Sequence, residues 1–360
     1  MTSGDGREAE VSRYLDDDRF HRSFTLPPNT NRSTDFKVTY ADFGHHNDEH
    51  VILFCGPLLG SRYLLTTQDK LAQQYGVRII SPDRPGFGGT TDVGPSDRIR
   101  VWLHIVEALL QHLSIRHVSL ACYSGGSIYA MNVLLHLRHL LHSTHPYVAI
   151  CAPWVHPSRS GVLSLRLASA LPDKIVGNYD RLVNFFQSSL GPVLNFSSDL
   201  AVIVPSIHRG SDFLAPGTNI DAVTLEESLR PELVRRVMAE DIRGLGQDAL
   251  LLLKRAEHPE YWGTWGDYDT LVPLLAQGEN ERYATVSSPV PPLKVDVFFA
   301  ESDHMIGTAI GPTWFNHSWR PEQRGDRIHY SSVVVPKATH DNILDLRYGV
   351  LERIFQGLLG

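Results

Sequence analysis

Residues 118–131 read VSLACYSGGSIYAM, and the change of pattern inside this stretch decides the fold. Apolar and β-favouring residues lead into Cys122-Tyr123-Ser124-Gly125-Gly126. Immediately afterwards Ile128, Met131, Val133 and Leu134 recur at helical spacing. This is a strand, a sharp turn and a helix. A hydroxyl carried at the tip of such a turn needs small residues two positions before and two after it, because strand and helix approach closely; Cys122 and Gly126 meet that need. The backbone N–H of Gly125 points to where negative charge develops on a carbonyl under attack. Ser124 is therefore the candidate nucleophile, and its neighbour Tyr123 is expected to line the substrate pocket. A serine among glycines can also be a plain turn; the switch from strand to helix argues for the catalytic reading.

Other segments alternate in the same way. HRSFTLP and FKVTYADFG read as two antiparallel strands. HVILFCG, VRIISPD, YVAICAPWV, LKVDVFFAES and HYSSVVVPKAT read as further strands, several apolar throughout as in a sheet covered on both faces. Helices are expected over residues 61–75, 99–113 and 343–358. Strands alternating with helices predict a mostly parallel twisted sheet with ligands at the carboxyl ends of its strands. Residues 1–18 are acidic and polar, and are expected to form a flexible arm. Residues 19–155 and 293–360 form the two parts of a core. Between them, residues 156–292 are mainly helical in pattern and interrupted by prolines, with helices expected in VLSLRLASAL, around residues 180–186, in TLEESLRPELVRRVMAEDI and in LGQDALLLLKRA; this is the inserted cap.

A serine hydroxyl needs a base to take its proton, usually a histidine oriented by a carboxylate. The elbow resembles that of the α/β-hydrolase superfamily, which implies the chain order Ser, acid, His, each partner following a strand. Asp303 ends VDVFFAES and His340 follows SVVVPKAT, so Ser124, Asp303 and His340 are the expected triad. Glu301 is the fallback acid, and Asp341 is expected to cap the final helix. His304 is expected to be exposed or pocket-lining. Taken singly, such an aspartate is a turn residue and such a histidine a surface group.

The elbow, the order of the three residues and their places after successive strands together resemble the α/β-hydrolase superfamily, whose elbow usually reads G-x-S-x-G. The resemblance covers the chain outside the cap and implies a hydrolase cleaving an ester, thioester or lactone. In that superfamily a D-x-x-G-x-G loop shapes the rim of the site, and DRPGFGG (residues 83–89) looks like it. The second oxyanion donor comes there from a loop after an H-G pair; here the pair reads Cys55-Gly56 and is followed by Pro57, which has no N–H. Either Leu58 supplies the donor after a one-residue shift, or the hole is weakened. The helical cap and the CGPLLGSR loop resemble fungal-type members, some of which act on polyketide-like metabolites. A non-hydrolytic condensing or cyclising enzyme, and a catalytically silent ligand-binding protein, are the alternative readings.

Trp154 and the aromatics of EYWGTWGDYD (Tyr261, Trp262, Trp265, Tyr268) favour a bulky apolar small molecule, with Trp262 and Trp265 read first as core. Arg62 and His156, after strand ends, are candidate polar contacts. A net charge of −7 and a pI near 6.2 give no basic field, so nucleic acid is excluded as a partner. No stretch approaches a membrane span and no signal peptide is read, so a soluble cytoplasmic protein is expected, with homo-oligomerisation left open. Cys55, Cys122 and Cys151 are read as buried thiols in a reducing compartment. No cofactor and no metal site is assigned: GLGQDA is not preceded by a strand, and the run His136, His139, His142, His145 lacks carboxylates.

Overall fold

The computed structural model describes residues 4–28, 33–46, 49–178, 213–255, 262–285 and 291–360. The helix expected around residues 180–186, and Tyr261, lie outside them.

Eight strands form one sheet: β1 Arg22–Leu26, β2 Phe36–Gly44, β3 Val51–Cys55, β4 Arg78–Pro82, β5 Ser119–Tyr123, β6 Tyr147–Cys151, β7 Leu293–Ser302 and β8 Ile328–Thr339, in the order β1-β2-β4-β3-β5-β6-β7-β8. The pairs β1/β2 and β2/β4 are antiparallel. From β4 to β8 every pair is parallel. This is the α/β-hydrolase fold, a twisted and mostly parallel sheet flanked by helices, with a helical insertion between β6 and β7.

The apolar runs are continuous because both faces of the sheet are covered, and the two-residue period of a strand sends neighbours to opposite sides. Leu53, Leu120 and Cys122 enter one core cluster, whereas Ile52, Phe54, Ala121 and Tyr123 enter the other. The edge strand β8 is largely exposed but carries Pro336 and Lys337, residues that discourage pairing with a further strand.

Helices among the described residues are numbered in chain order: α1 Gly4–Leu15, α2 Asp69–Gln74, α3 Arg98–His112, α4 Gly126–His136, α5 Pro157–Ser160, α6 Leu163–Ala168, α7 Asp173–Val176, α8 Ile220–Ala239, α9 Gly244–Leu252, α10 Tyr268–Thr285, α11 Ile310–Ser318, α12 Pro321–Arg324 and α13 Val350–Leu359. Three differ from expectation. The helix expected over residues 61–75 is only the short α2 with a 3-10 turn, Thr66–Gln68, ahead of it, since Ser61 to Leu65 do not form a helix. The stretch between β7 and β8, for which no helix is expected, carries α11 and α12. The final helix begins at Val350 with Gly349 as its N-cap residue, so Asp341 is not its cap.

The N-terminal residues also depart from the flexible arm. They form α1, because Leu15 is fully buried among Leu229, Leu233 and Val237 of α8 and Asp16 pairs with Arg236 at 2.7 Å. Tyr14 donates to the Thr66 carbonyl at 2.7 Å, tying α1 to the core. Its acidic composition hid this docking, since the buried side chains are few.

The insertion is divided in its packing. Buried residues Leu233 and Val237 of α8 and Leu245 of α9 cluster with Leu59, Tyr63 and Phe87 of the loops above the strand ends. In contrast, Tyr268, Leu271, Val272 and Leu275 of α10 belong to the main core, where Trp262 and Trp265 are also fully enclosed. Among the described residues no helix is long and apolar enough to cross a membrane.

Leu15→Ala is expected to lower unfolding stability by roughly 2–5 kcal/mol in urea titrations, as for other large-to-small changes in a packed interior. A loss under about 0.5 kcal/mol, the scale of a surface change, would show that α1 does not dock in solution.

Candidate active site

Ser124 sits at the turn between β5 and α4 with φ +51°, a left-handed value that a non-glycine residue adopts only under constraint. The constraint is the close approach of α4 to the β3 loop. A Cβ at Gly126 would lie 2.1 Å from the Cys55 carbonyl oxygen and 2.2 Å from that of Gly56. Only glycine fits there. Cys122 is in register with Cys55 on the neighbouring strand, so the small residue two before the serine faces an equally tight neighbour.

Ser124 Oγ lies 2.9 Å from His340 Nε2. The other ring nitrogen, Nδ1, lies 2.8 Å from Asp303 Oδ2. A carboxylate only accepts, so Nδ1 carries the hydrogen and Nε2 is left to accept from the serine hydroxyl. Asp303 Oδ1 in turn accepts the N–H groups of Met305 and Ile306, both at 2.8 Å. Ser124, Asp303 and His340 are 4%, 5% and 4% exposed, so the chain of hydrogen bonds runs through a nearly water-free interior where each is strengthened.

That environment shifts both titrating groups. Burial opposes the charged form of His340, but the Asp303 carboxylate, its hydrogen bond and the nearby Asp341 outweigh it and raise the imidazole above its ordinary range. Burial likewise disfavours ionised Asp303, yet the attraction of His340 and the hydrogen bonds from its ring and from Ile306 and Met305 hold its carboxyl below the usual range. Glu301, the fallback acid, points elsewhere: it accepts from the Lys337 N–H at 3.0 Å.

Gly125 and Leu58 come together on the other side of the serine. A Cβ at Gly125 would lie 3.5 Å from the Leu58 nitrogen. The loop bearing Leu58 is fixed by Arg84, a residue of the DRPGFGG segment that the sequence reading did not single out. Its Nη1 donates to the Gly56 carbonyl at 2.6 Å, and its Nη2 to the carbonyls of Pro57 and, at 3.0 Å, Leu58. With three successive carbonyls turned toward one guanidinium, their amide planes are set. Gly60 makes room for it, since a Cβ there would lie 2.4 Å from Arg84 Cζ. The remaining Nε donates to Asp248 of α9 at 2.7 Å, and Asp248 also accepts from Arg98 Nε at 2.5 Å and from the Tyr129 hydroxyl. The same segment clasps α9 through the Gly244 N–H, which donates to the Gly86 carbonyl at 2.9 Å.

Ser124 and His340 open onto a cavity of about 170 Å³ with mainly apolar walls, among them Leu58, Leu65, Leu233, Val237, Met305 and Leu344. Tyr123 lines it and donates its hydroxyl to the His340 carbonyl, so it also holds the histidine loop. His304 lines it too, its ring 5.7 Å from that of His340.

Three expected substrate contacts are not in its walls. Arg62 is buried against Asp83 at 2.7 Å and Glu240 at 2.6 Å, with Nε on the Phe20 carbonyl, so its donors serve the fold. Trp154 turns into the core beneath the elbow and donates its indole N–H to the Leu252 carbonyl at 3.1 Å. His156 precedes α5 and accepts from the Ser158 N–H; burial, then the charge of Lys254, pushes its imidazole down to about 4. Position after a strand end did not reveal which way these side chains turn.

The histidine run does not share one helix. His136 is the last residue of α4 and lies 3.1 Å from Thr264 Oγ1, whereas His142 and His145 follow in a loop beside Thr144. Among the described residues no group of three His, Cys, Asp or Glu side chains is arranged to hold a metal ion. The three cysteines are free and buried.

Residues 51–347 match the profile of the alpha/beta hydrolase family. The chain belongs to this family. Solved structures of similar architecture include an enol-lactonase from Burkholderia xenovorans (12% identity, covering 94% of this chain and 100% of that one, TM-score 0.52). Others are a thermophilic esterase from Thermogutta terrifontis (14%, 94% and 97%, 0.52) and an epoxide hydrolase from Vigna radiata (14%, 93% and 97%, 0.51). At these identities the likeness is one of fold. No curated protein matches the chain in sequence.

Arg84→Met, which leaves Asp248 its bonds to Arg98 and Tyr129, is expected to slow labelling of Ser124 by a fluorophosphonate roughly 10- to 100-fold, somewhat less than outright loss of an oxyanion donor. Circular dichroism should be unchanged. Labelling at the wild-type rate would show that the loop keeps its shape without the guanidinium.

Proposed function

We propose that this α/β hydrolase is a serine hydrolase that cleaves an ester, thioester or lactone of a bulky apolar small molecule through an acyl-enzyme. The observation that carries the reading is the continuous hydrogen-bonded relay from Ser124 Oγ through His340 to Asp303, opening onto an apolar cavity. The fold does not choose the reaction; the side chains do.

In this reading the serine oxygen attacks the substrate carbonyl while its proton passes to His340 Nε2. Asp303 stabilises the imidazolium without taking the proton itself. The carbonyl oxygen becomes an oxyanion received by the N–H groups of Gly125 and, by the one-residue shift past Pro57, of Leu58, a reading supported by the Leu58 nitrogen lying 3.5 Å from where a Gly125 Cβ would be. His340 then protonates the leaving group, whose bond to the carbonyl carbon breaks, and the acyl group remains on Ser124. Water, deprotonated by His340, repeats the sequence and releases the acid. The apolar walls and the near-complete burial of the three residues keep bulk water from competing with these bonds.

Incubation with a fluorophosphonate should label the wild type and leave Ser124→Ala unlabelled; labelling that persists in Ser124→Ala, or a wild type that resists, contradicts the reading. The base must be neutral to accept the serine proton, so kcat/KM should fall as pH drops through an apparent pKa above the ~6.5 of an unperturbed histidine. Asp303→Asn removes the carboxylate that does most to raise it, leaving only the smaller effect of Asp341: the limb should move to lower pH and turnover on a p-nitrophenyl ester should drop about 10⁴-fold. An acidic limb at or below ~6.5 in the wild type would show that the carboxylate does not govern the imidazole.

A further inference from the structure

One wall of the cavity is polar and takes no step in the relay. Glu226, Arg230, Leu233, Val234 and Val237 recur at helical spacing on α8, and all line the cavity that holds Ser124 and His340, so one face of this helix is turned toward the substrate. The apolar end of that face, Leu233 and Val237, packs with Leu58 and Leu59 of the loop beside the serine. Arg230 precedes Val237 by two turns, about 10 Å along the helix axis. Its guanidinium therefore meets the substrate well away from the scissile carbonyl.

The side chains of Arg230 and Asp345 are 2.7 Å apart, keep 18% and 17% of their surface open, and both line the cavity. Arg230 Nη2 serves Asp345 and lies 4.0 Å from Glu226, beyond hydrogen-bonding distance. The two Glu226 oxygens are taken up instead by Gln68 Nε2 at 2.5 Å and by the Leu346 N–H at 3.0 Å. Nε and Nη1 of Arg230 have no hydrogen-bond partner among the described residues. A guanidinium presents five N–H groups in a rigid plane, so the three on these two nitrogens are left to whatever fills the cavity. An entirely apolar substrate would strip water from them and return nothing, at the cost of burying donors without acceptors.

We propose that Arg230 is a specificity-determining residue that donates to a neutral oxygen of the substrate, such as a ketone, an ether or a second ester carbonyl, remote from the bond that is cut. The proposal rests on the serine-hydrolase reading for that bond and adds the class of substrate: a largely apolar ester or lactone bearing a further acceptor oxygen. An anionic group fits the wall less well. Asp345 already opposes the charge of Arg230, and a ligand carboxylate would enter beside Asp345 and Glu226 with no positive charge left to balance it. An ammonium group would bring donors to donors. A neutral oxygen adds no charge and supplies the acceptor that the three N–H groups lack.

The test separates recognition from catalysis. Equilibrium binding to Ser124→Ala is measured for p-nitrophenyl alkanoates of one chain length: plain, with a keto group at successive chain positions, and with a terminal carboxylate. At a position remote from the ester the keto compound should bind about tenfold tighter than the plain one, as expected for a hydrogen bond from a charged donor. Adding Arg230→Met should erase the difference, and so should Arg230→Met with Asp345→Asn, which removes both charges together should the single variant fold poorly. No remote position at which the keto ester exceeds the plain one, a preference that survives both variants, or a carboxylate ester that binds tighter than every keto ester each overturns the subsite. Wild-type protein that shows the preference in binding yet neither turns the esters over nor reacts with a fluorophosphonate would overturn the hydrolase reading and leave the subsite standing.

Discussion

Gly126 brings the backbone of α4 against the carbonyl oxygens of Cys55 and Gly56, closer than any side chain allows. From that single approach the rest of the site follows. It forces Ser124 into a left-handed conformation at the tip of the turn, and it brings Gly125 beside the loop of β3, where a Cβ on Gly125 would lie 3.5 Å from the Leu58 nitrogen. Strain of this kind persists only where the surroundings over-determine it, and here a helix, two parallel strands and a buried arginine do so.

Burial gives the polar groups their strength and also their cost. A guanidinium in the interior is tolerable only when its donors are used, and Arg84 spends them on three loop carbonyls and Asp248. The loop is thus shaped by a charge that belongs to the strand β4 connection, while the partner of that charge comes from α9 in the insertion. The same helix pair, α8 and α9, roofs the cavity. Packing of the insertion and shape of the loop that bears Leu58 are consequently coupled through one carboxylate, and the N-terminal helix α1 braces α8 from outside.

The strand–turn–helix at Ser124 was readable because its physical requirement is local: small residues at fixed offsets and a change of hydrophobic period. Asp303 and His340 were readable because a parallel sheet delivers the ends of successive strands to one edge, so order along the chain translates into neighbourhood. Arg84 was not, since its role depends on Asp248, 164 residues away. Gln68 and Glu226 are likewise joined only by the fold, across 158 residues. Arg62 and His156 were misplaced for the converse reason: their positions after strand ends were right, but the direction of a side chain leaving a turn is set by what packs beside it. In α1 the acidic residues dominated the composition while a few buried contacts decided the structure.

The central claim is that Ser124 carries the acyl group between the two halves of the reaction. Rapid acid quench of the enzyme during turnover of a p-nitrophenyl ester, followed by intact-mass and peptide analysis, tests it most directly. The account expects a transient gain equal to the acyl group in place of one hydrogen, confined to the peptide that contains Ser124. Turnover with no adduct at any quench time, or an adduct on a different residue, would contradict it.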